Sequence, residues 1–486
     1  MAYYLQVGGT EAGAVLAPAK YLNRHGLITG ATGTGKSVSV IGLVEAFQRL
    51  GVPSIVTDVK GDLSGMAKPS TGDPLKAQQR NAMPWQAEAA EVKFWDAFGL
   101  TGVPLNASVQ RMGAPLFAQA LGLTDTQTGV LEIAFAVAED EKRPLDTLDD
   151  LRALVTYCAE SRRTIGRRYG LVTPSSVAAI GRAILRLERA GGGSFFSREF
   201  TPIGIFTTGR AVRMLDCVQL VKEPRLYGAV LLWLLNSLYD TLPEVGDLPI
   251  PTLAIFFDEG HLIFDECSPE VERLIDRTVR LIRSKGVCVF FASQAPGDFP
   301  DSISRQLHLR IQHALRAVTP KDRAMVKGAA DSLPPGEGFN PASVIEKLKT
   351  GQALVTYLDE NGQSVPTQIV DMAMPRCRLT PLTPTERKEL MNRFDLEQFN
   401  LLDGSKPCAT EAKPRTQWVE TPPVKLHFLE RVGAWIGYSA TAALTYYGFK
   451  MLAIGWVGVG SGLLGGALFL GLNVAAAVKL RKTPTE

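Results

Sequence analysis

The stretch Gly30-Ala31-Thr32-Gly33-Thr34-Gly35-Lys36-Ser37 constrains this 486-residue chain more than any other. Three glycines in six positions let the backbone turn so that successive N–H groups converge on one point, a geometry that suits phosphate oxygens. The flanks supply the context that such a loop needs. Leu27–Thr29 reads as an apolar strand end, and Ser37–Leu50 has helical periodicity through Val40, Leu43, Val44 and Phe47. The helix would add its positive end to the same concavity. Lys36 is then placed to reach the β and γ phosphates, and the Ser37 hydroxyl to ligate Mg²⁺. All eight residues are expected to line an ATP site. A plain glycine turn would require neither the strand before it nor the helix after it.

A chain that binds ATP this way needs carboxylates at a neighbouring strand tip. Leu253–Phe257 is five apolar residues long and runs into Asp258-Glu259. Asp258 is placed to hold the Mg²⁺ shell, and Glu259 to polarise the attacking water. A helix cap after a core strand is the bland alternative. Val287–Ala292 is a further buried strand, with Ser293-Gln294 at its end. Ligands of open α/β sheets sit at the carboxyl ends of strands, so Gln294 is a candidate sensor of the γ-phosphate or the water. Asp58 closes the strand Ser54–Asp58 and either positions the metal shell or the loop, or caps a turn.

Arg280 and Arg283 lie three apart on the amphipathic helix read over Ser268–Lys285. They could be a solvated helix end. Phosphoryl transfer also calls for positive charge on the γ-phosphate, which ring ATPases take from a neighbouring subunit. Arg283 is the favoured finger, with Arg280 as its substitute.

The remaining chain reads as alternating α and β segments. Tyr3–Val7 and Ala14–Leu16 suggest a hairpin around Gly8-Gly9, and residues 60–110 read as loop-rich with a strand at Val92–Trp95. Residues 112–190 are helical, with a capping box at Thr147/Asp150 and an N-cap at Thr173 before Pro174. Leu226–Tyr239 is an apolar helix, and Ala353–Asp371 a hairpin around Asn361-Gly362.

The net charge of +3 gives no argument for nucleic acid, so any basic surface must be local. Arg162-Arg163-Thr-Ile-Gly-Arg167-Arg168 and Lys321-Asp-Arg323 are such local runs, readable as DNA contacts or as solvated faces. Six scattered cysteines suggest neither a disulfide framework nor a thiolate metal site, which fits a reducing compartment. His308 and His313 are not expected to bind metal. The first residues have no basic stretch followed by an apolar one, so no signal peptide is expected.

Four blocks together carry a specific resemblance: Arg24-His25-Gly-Leu-Ile-Thr-Gly, Asp58-Val-Lys-Gly-Asp-Leu-Ser-Gly, Phe-Phe-Asp258-Glu-Gly-His261 and Val279-Arg-Leu-Ile-Arg-Ser-Lys-Gly286. Leu226-Tyr-Gly-Ala-Val-Leu-Leu-Trp-Leu-Leu-Asn and Gln312-His-Ala-Leu-Arg-Ala-Val-Thr-Pro-Lys-Asp322 add to it. Over about residues 5–390 the chain resembles the FtsK–HerA superfamily, in particular bacterial proteins with a HerA-like helicase C-terminal domain. The resemblance implies a RecA-like P-loop core with a helical insertion, a homo-hexameric ring with ATP at subunit interfaces, and DNA in a central channel. Too few residues precede the loop for an N-terminal barrel, so a barrel-docked nuclease partner is not expected. Where the family pattern leads one to expect Gly-Asn-Arg, this chain has His308-Leu309-Arg310.

The C-terminus breaks composition. Residues 403–425 carry Pro407, Pro414, Pro422 and Pro423 and read as a linker. Val432–Phe449 and Met451–Val478 are uncharged and separated only by Lys450. They read as a membrane hairpin within residues 428–482, with Gly458, Gly462 and Gly466 on one close-packing face. Arg431 at one end and Lys479, Arg481 and Lys482 at the other would keep both ends in the cytosol. The expected organisation is therefore a hairpin (1–24), a motor (25–400), a linker (401–427) and an apolar helical hairpin, with a cytoplasmic motor tethered to the inner membrane. A soluble helical pair buried in an oligomer interface is the alternative. So, for function, is a membrane-bound NTPase that signals, scaffolds or secretes without moving DNA.

Overall fold

The computed structural model describes residues 3–264 and 269–391. The linker and both apolar stretches lie outside the described residues, and no described helix is long and apolar enough to cross a membrane.

Twelve strands form one mixed sheet. In chain order they are β1 (Tyr4–Thr10), β2 (Gly13–Pro18), β3 (Gly26–Thr29), β4 (Ser54–Asp58), β5 (Val92–Asp96), β6 (Val103–Pro104), β7 (Val212–Asp216), β8 (Leu253–Phe257), β9 (Val287–Ser293), β10 (Leu309–His313), β11 (Gln352–Thr356) and β12 (Gln368–Met372). Their order across the sheet is β2-β1-β12-β11-β10-β3-β9-β8-β4-β7-β5-β6. From β10 to β6 every neighbouring pair is parallel, and from β10 to β2 every pair is antiparallel.

The central strands are apolar on both sides, as a parallel sheet covered on both faces requires. Their two-residue period sends alternate side chains to different cores. Ile55, Phe257 and Phe291 join the core with the long apolar helix Pro224–Thr241, whereas Val56, Phe256 and Phe290 join the core with helix α1 (Lys36–Arg49). Across β8 and β9, Phe256 stacks on Phe290 at 4.7 Å and Phe257 on Phe291 at 5.3 Å. Phe47 of α1 meets Phe256 and Phe290 edge-on, which fixes the helix after the glycine loop against the sheet.

Between β6 and β7 the chain is helical, with principal helices Ala114–Leu121, Asp125–Asp140, Leu148–Glu160 and Pro174–Leu187. The capping box at Thr147/Asp150 forms, and Thr173 Oγ1 accepts from the Ser176 N–H. Residues 60–110 also hold an eight-residue helix that the loop-rich reading omits, Pro74–Asn81, capped by Asp73 through the N–H groups of Leu75 and Lys76.

The N-terminal hairpin is present, but Gly8-Gly9 is not its turn. The reversal falls at Glu11-Ala12, and the glycines lie inside β1, where the register shifts between Gln6 and Gly8. A Cβ at Gly8 would run into the Asp371 carbonyl and one at Gly9 into the Arg80 carbonyl. These glycines permit a close backbone approach.

Candidate nucleotide and metal site

The sheet order brings four strand tips side by side: β3, β9, β8 and β4. The registers Thr29↔Ser293, Phe257↔Phe291 and Thr57↔Phe257 put their carboxyl ends at one level. The glycine loop leaves β3 there and enters α1 at Lys36. Gly30, Gly33 and Gly35 all have positive φ (153°, 78° and 116°), so the loop is open only to glycine at these points. A Cβ on Gly30 would strike the His313 side chain, and one on Gly35 would lie 3.1 Å from Gly351 Cα.

The cradle is held from outside itself. The Ala31 N–H donates to the Ala314 carbonyl at 2.9 Å, and the Gly351 N–H to the Thr34 carbonyl at 2.8 Å. Thr34 Oγ1 donates to Ala31 O within the loop, while Thr32 and Gly33 are exposed at its apex. Lys36 Nζ reaches back to the carbonyls of Gly30 (2.6 Å) and Ala31 (3.3 Å). His313 closes the loop from below. Its Nδ1–H donates to Gln352 O at 3.0 Å, which leaves Nε2 to accept from Ser39 Oγ at 2.9 Å. Burial holds this ring well below the ordinary imidazole range, at about 4, so it is neutral at physiological pH.

Asp258 follows β8 directly, with its N–H bonded to Thr57 Oγ1 at 3.1 Å. Asp58, Asp62 and Asp258 can bring one carboxylate oxygen each to within 4.8 Å of one another. Ser37 Oγ donates to Asp62 Oδ2 at 3.2 Å, so the loop serine stands at the edge of the same cluster. Burial, then the charge of Asp62, raises Asp58 to about 7. Burial, then Asp62 and Glu259, does the same to Asp258. Asp62 Oδ1 and Asp258 Oδ2 are buried with no hydrogen-bond partner among the described residues. Crowded carboxylates with unspent lone pairs beside a hydroxyl are a hard-oxygen donor set, and they fit Mg²⁺. Asp58 also accepts from the Gly61 N–H at 2.7 Å, so it belongs to the cluster and caps a turn as well.

Glu259 is buried and takes a left-handed backbone conformation (φ 45°, ψ 52°), uncommon outside glycine. One carboxylate oxygen is ion-paired with Lys60. The other lies 3.4 Å from His261 Nδ1. His261 Nδ1 is also 3.1 Å from Ser293 Oγ, which donates to Asp298. Gln294 is exposed just past the end of β9. Arg280 is ion-paired with Asp276 at 2.5 Å, and Arg283 lies 3.7 Å from Asp247. Neither pairs with the acidic cluster of its own chain.

The structure thus brings together Gly30 to Ser37, Asp258 and Glu259, and leaves Arg283 outside the cluster. It adds Lys60, Asp62, His261 and His313. Lys60, Asp62 and His313 all fall in blocks that carry the family resemblance, and Lys60 and Asp62 also lie two and four residues beyond the end of β4. What no local signal gave is the role of His313, which depends on β10 lying beside β3.

The fold has known counterparts. VirB4 of Thermoanaerobacter pseudethanolicus matches with a TM-score of 0.52 at 16% identity, over 76% of this chain and 96% of that one. The bacterial conjugative coupling protein TrwB, in its unbound ΔN70 form, matches at 0.53 and 14% identity, over 78% and 91%. TrwB in complex with ADP and Mg²⁺ matches at 0.51 and 13% identity, over 79% and 98%. No curated protein matches the chain. The profile of the Helicase HerA-like C-terminal family covers residues 4–411, and on that match the chain belongs to the HerA-like family of P-loop NTPases.

Proposed function

We propose that the chain is an ATP-driven DNA translocase of helicase-like type, working as a homo-hexameric ring with ATP held at subunit interfaces on a RecA-like core. The observation that carries this reading is the meeting of Lys36, Ser37, Asp258 and Glu259 at the carboxyl ends of β3 and β8, which flank β9, in a chain of this family. Gly30 to Ser37 bind the phosphates, and Lys36 neutralises their charge. Ser37 and Asp258, with Asp58 and Asp62 beside them, hold Mg²⁺, which supplies charge neutralisation on the phosphates when bound. Glu259 takes the proton of the attacking water, and Gln294 orients that water or the γ-phosphate. Arg283 reaches the site of the neighbouring subunit, consistent with its half-exposed side chain and its pairing with Asp247 rather than with the acidic cluster. TrwB with ADP and Mg²⁺ is a structural neighbour that supports this choice of ligands.

The test is ATP hydrolysis by the purified protein with and without duplex DNA. Stimulation of turnover by DNA supports the motor. Hydrolysis that is indifferent to DNA favours a second reading, a membrane-bound NTPase with a signalling, scaffolding or secretion role. That reading draws on the two uncharged C-terminal stretches and on the conjugative coupling protein among the structural neighbours. Under either reading, residues 428–482 tether the motor to the cytoplasmic membrane.

A further inference from the structure

Glu259 has two features that its role as base does not itself require. Its carboxylate is buried almost completely, and its immediate neighbour in the chain is the carboxylate of Asp258. Two acids in such a place repel, and an uncompensated buried charge tends to rotate towards water or to take up a proton. The compensating cation is Lys60, whose ammonium pairs with Glu259 while about half of its own side chain stays exposed.

The turn that carries Lys60 is tied on both sides of it. Asp58 Oδ1 accepts from the Gly61 N–H at 2.7 Å, and Gly61 takes the positive φ (79°) that the reversal demands. One residue further, Asp62 accepts from Ser37 Oγ of the phosphate loop. The segment Asp58–Asp62 at the end of β4 therefore grips the nucleotide loop with one side chain and the candidate base with another. A shift of Ser37 and Asp62 as the metal–nucleotide seats would be passed to Lys60 across two peptide links, and from there to Glu259.

We propose that Lys60 is a positioning residue for hydrolysis: it aims the Glu259 carboxylate and, through the Asp58–Asp62 turn, ties that aim to Ser37 of the phosphate loop. The proposal rests on Glu259 being the base, as argued above. Lys60 itself does not touch the reacting atoms.

The experiment compares kcat and KM for Lys60→Met, Lys60→Arg, Glu259→Gln and the double variant Lys60→Met/Glu259→Gln in the full-length protein. Lys60→Met should lower kcat about tenfold or more, short of the ~10²–10⁴-fold expected for loss of a general base. Its KM for ATP should stay within about threefold of the parental value, because binding and positioning are separable. Lys60→Arg, which keeps a cation for the carboxylate, should recover most of the lost kcat. The double variant should be no slower than Glu259→Gln alone, since aiming an absent base changes nothing. A merely structural role for Lys60 would instead multiply the two defects, and that result overturns the proposal. So does Lys60→Met at the parental kcat, or with a raised KM and unchanged kcat, which would make Lys60 a nucleotide contact. Parental turnover by Glu259→Gln alone would remove the base itself, and this inference with it. That failure is read from a variant in which Lys60 is intact.

Discussion

The Ser37 hydroxyl donates to Asp62 across 3.2 Å, joining the end of the glycine loop to a turn that follows a strand two places away in the sheet from the loop's neighbour. The contact closes a ring of groups around the acidic cluster, with the loop on one side and Asp58, Asp62 and Asp258 on the other. Separate perturbations of that ring have separate expected outcomes.

Lys36→Ala removes the cation that spans the loop, where it now satisfies the carbonyls of Gly30 and Ala31. Binding of a fluorescent ATP analogue should fall by two orders of magnitude or be undetectable, consistent with about 2–5 kcal/mol for a partly buried charge contact. Glu259→Gln should bind the analogue normally and turn over ATP ~10²-fold or more slowly. Normal binding by Lys36→Ala would place the phosphates elsewhere.

Asp58 and Asp258 are both pushed up to about 7, first by burial and then by neighbouring carboxylates. Between about pH 4 and 7 the folded chain therefore holds protons that the unfolded chain has released. Without metal, this contribution to stability is present at low pH and lost as pH rises through 7. Buried His25 and His313, both lowered to about 4, act in the opposite sense below pH 6.5, so the net melting curve mixes the two. The Mg²⁺-induced rise in Tm isolates the acids, because the cation must displace their protons. That rise should grow from pH 6 to pH 8.5 and vanish with EDTA. A rise independent of pH would mean that the cluster is not the metal site.

The elements around this site were largely legible, because each is announced locally. Ser54–Asp58 and Leu253–Phe257 coincide with β4 and β8, and the strand read at Val287–Ala292 is one residue short of β9. Their apolar runs end at polar residues, and runs that short suit a covered strand better than a helix. What the sequence could not give is adjacency. Lys60 reaches Glu259 because β4 lies beside β8, and His313 supports Gly30 because β10 lies beside β3. Neither pairing leaves a periodic trace. Gly8-Gly9 misled for the same reason: a glycine pair needed for contact with Asp371 and Arg80 looks like one needed for a turn.

Arg283 pairs only loosely with Asp247, at 3.7 Å, and would act on a neighbouring subunit. Mixing inactive Arg283→Ala with inactive Lys36→Ala should then restore part of the turnover, at interfaces that combine an intact loop with an intact finger. Specific activity of the parental protein should rise steeply with concentration. Full-rate turnover by a monomer at high dilution would remove the need for either the finger or the ring.

The uncharged C-terminal stretches bear on where such a motor works. Met451–Val478 is 28 residues long, against about 20 needed to span a bilayer. In water, Gly458, Gly462 and Gly466 each cost a helix about 1 kcal/mol relative to alanine. In a bilayer the same spacing becomes useful, because the backbone must satisfy itself within the helix and small residues let two helices touch. The basic residues Lys479, Arg481 and Lys482 would keep that end on the cytoplasmic side, together with the ATPase. The full-length protein should accordingly fractionate with membranes and resist carbonate extraction, while a chain ending near Asp403 should stay in the supernatant and still hydrolyse ATP. Replacing Gly462 with Leu should leave membrane association intact but weaken contact between the two stretches, read as loss of crosslinking between cysteines placed on them. Full-length protein recovered entirely in the soluble fraction without detergent would remove the tether and favour a helical pair buried between subunits.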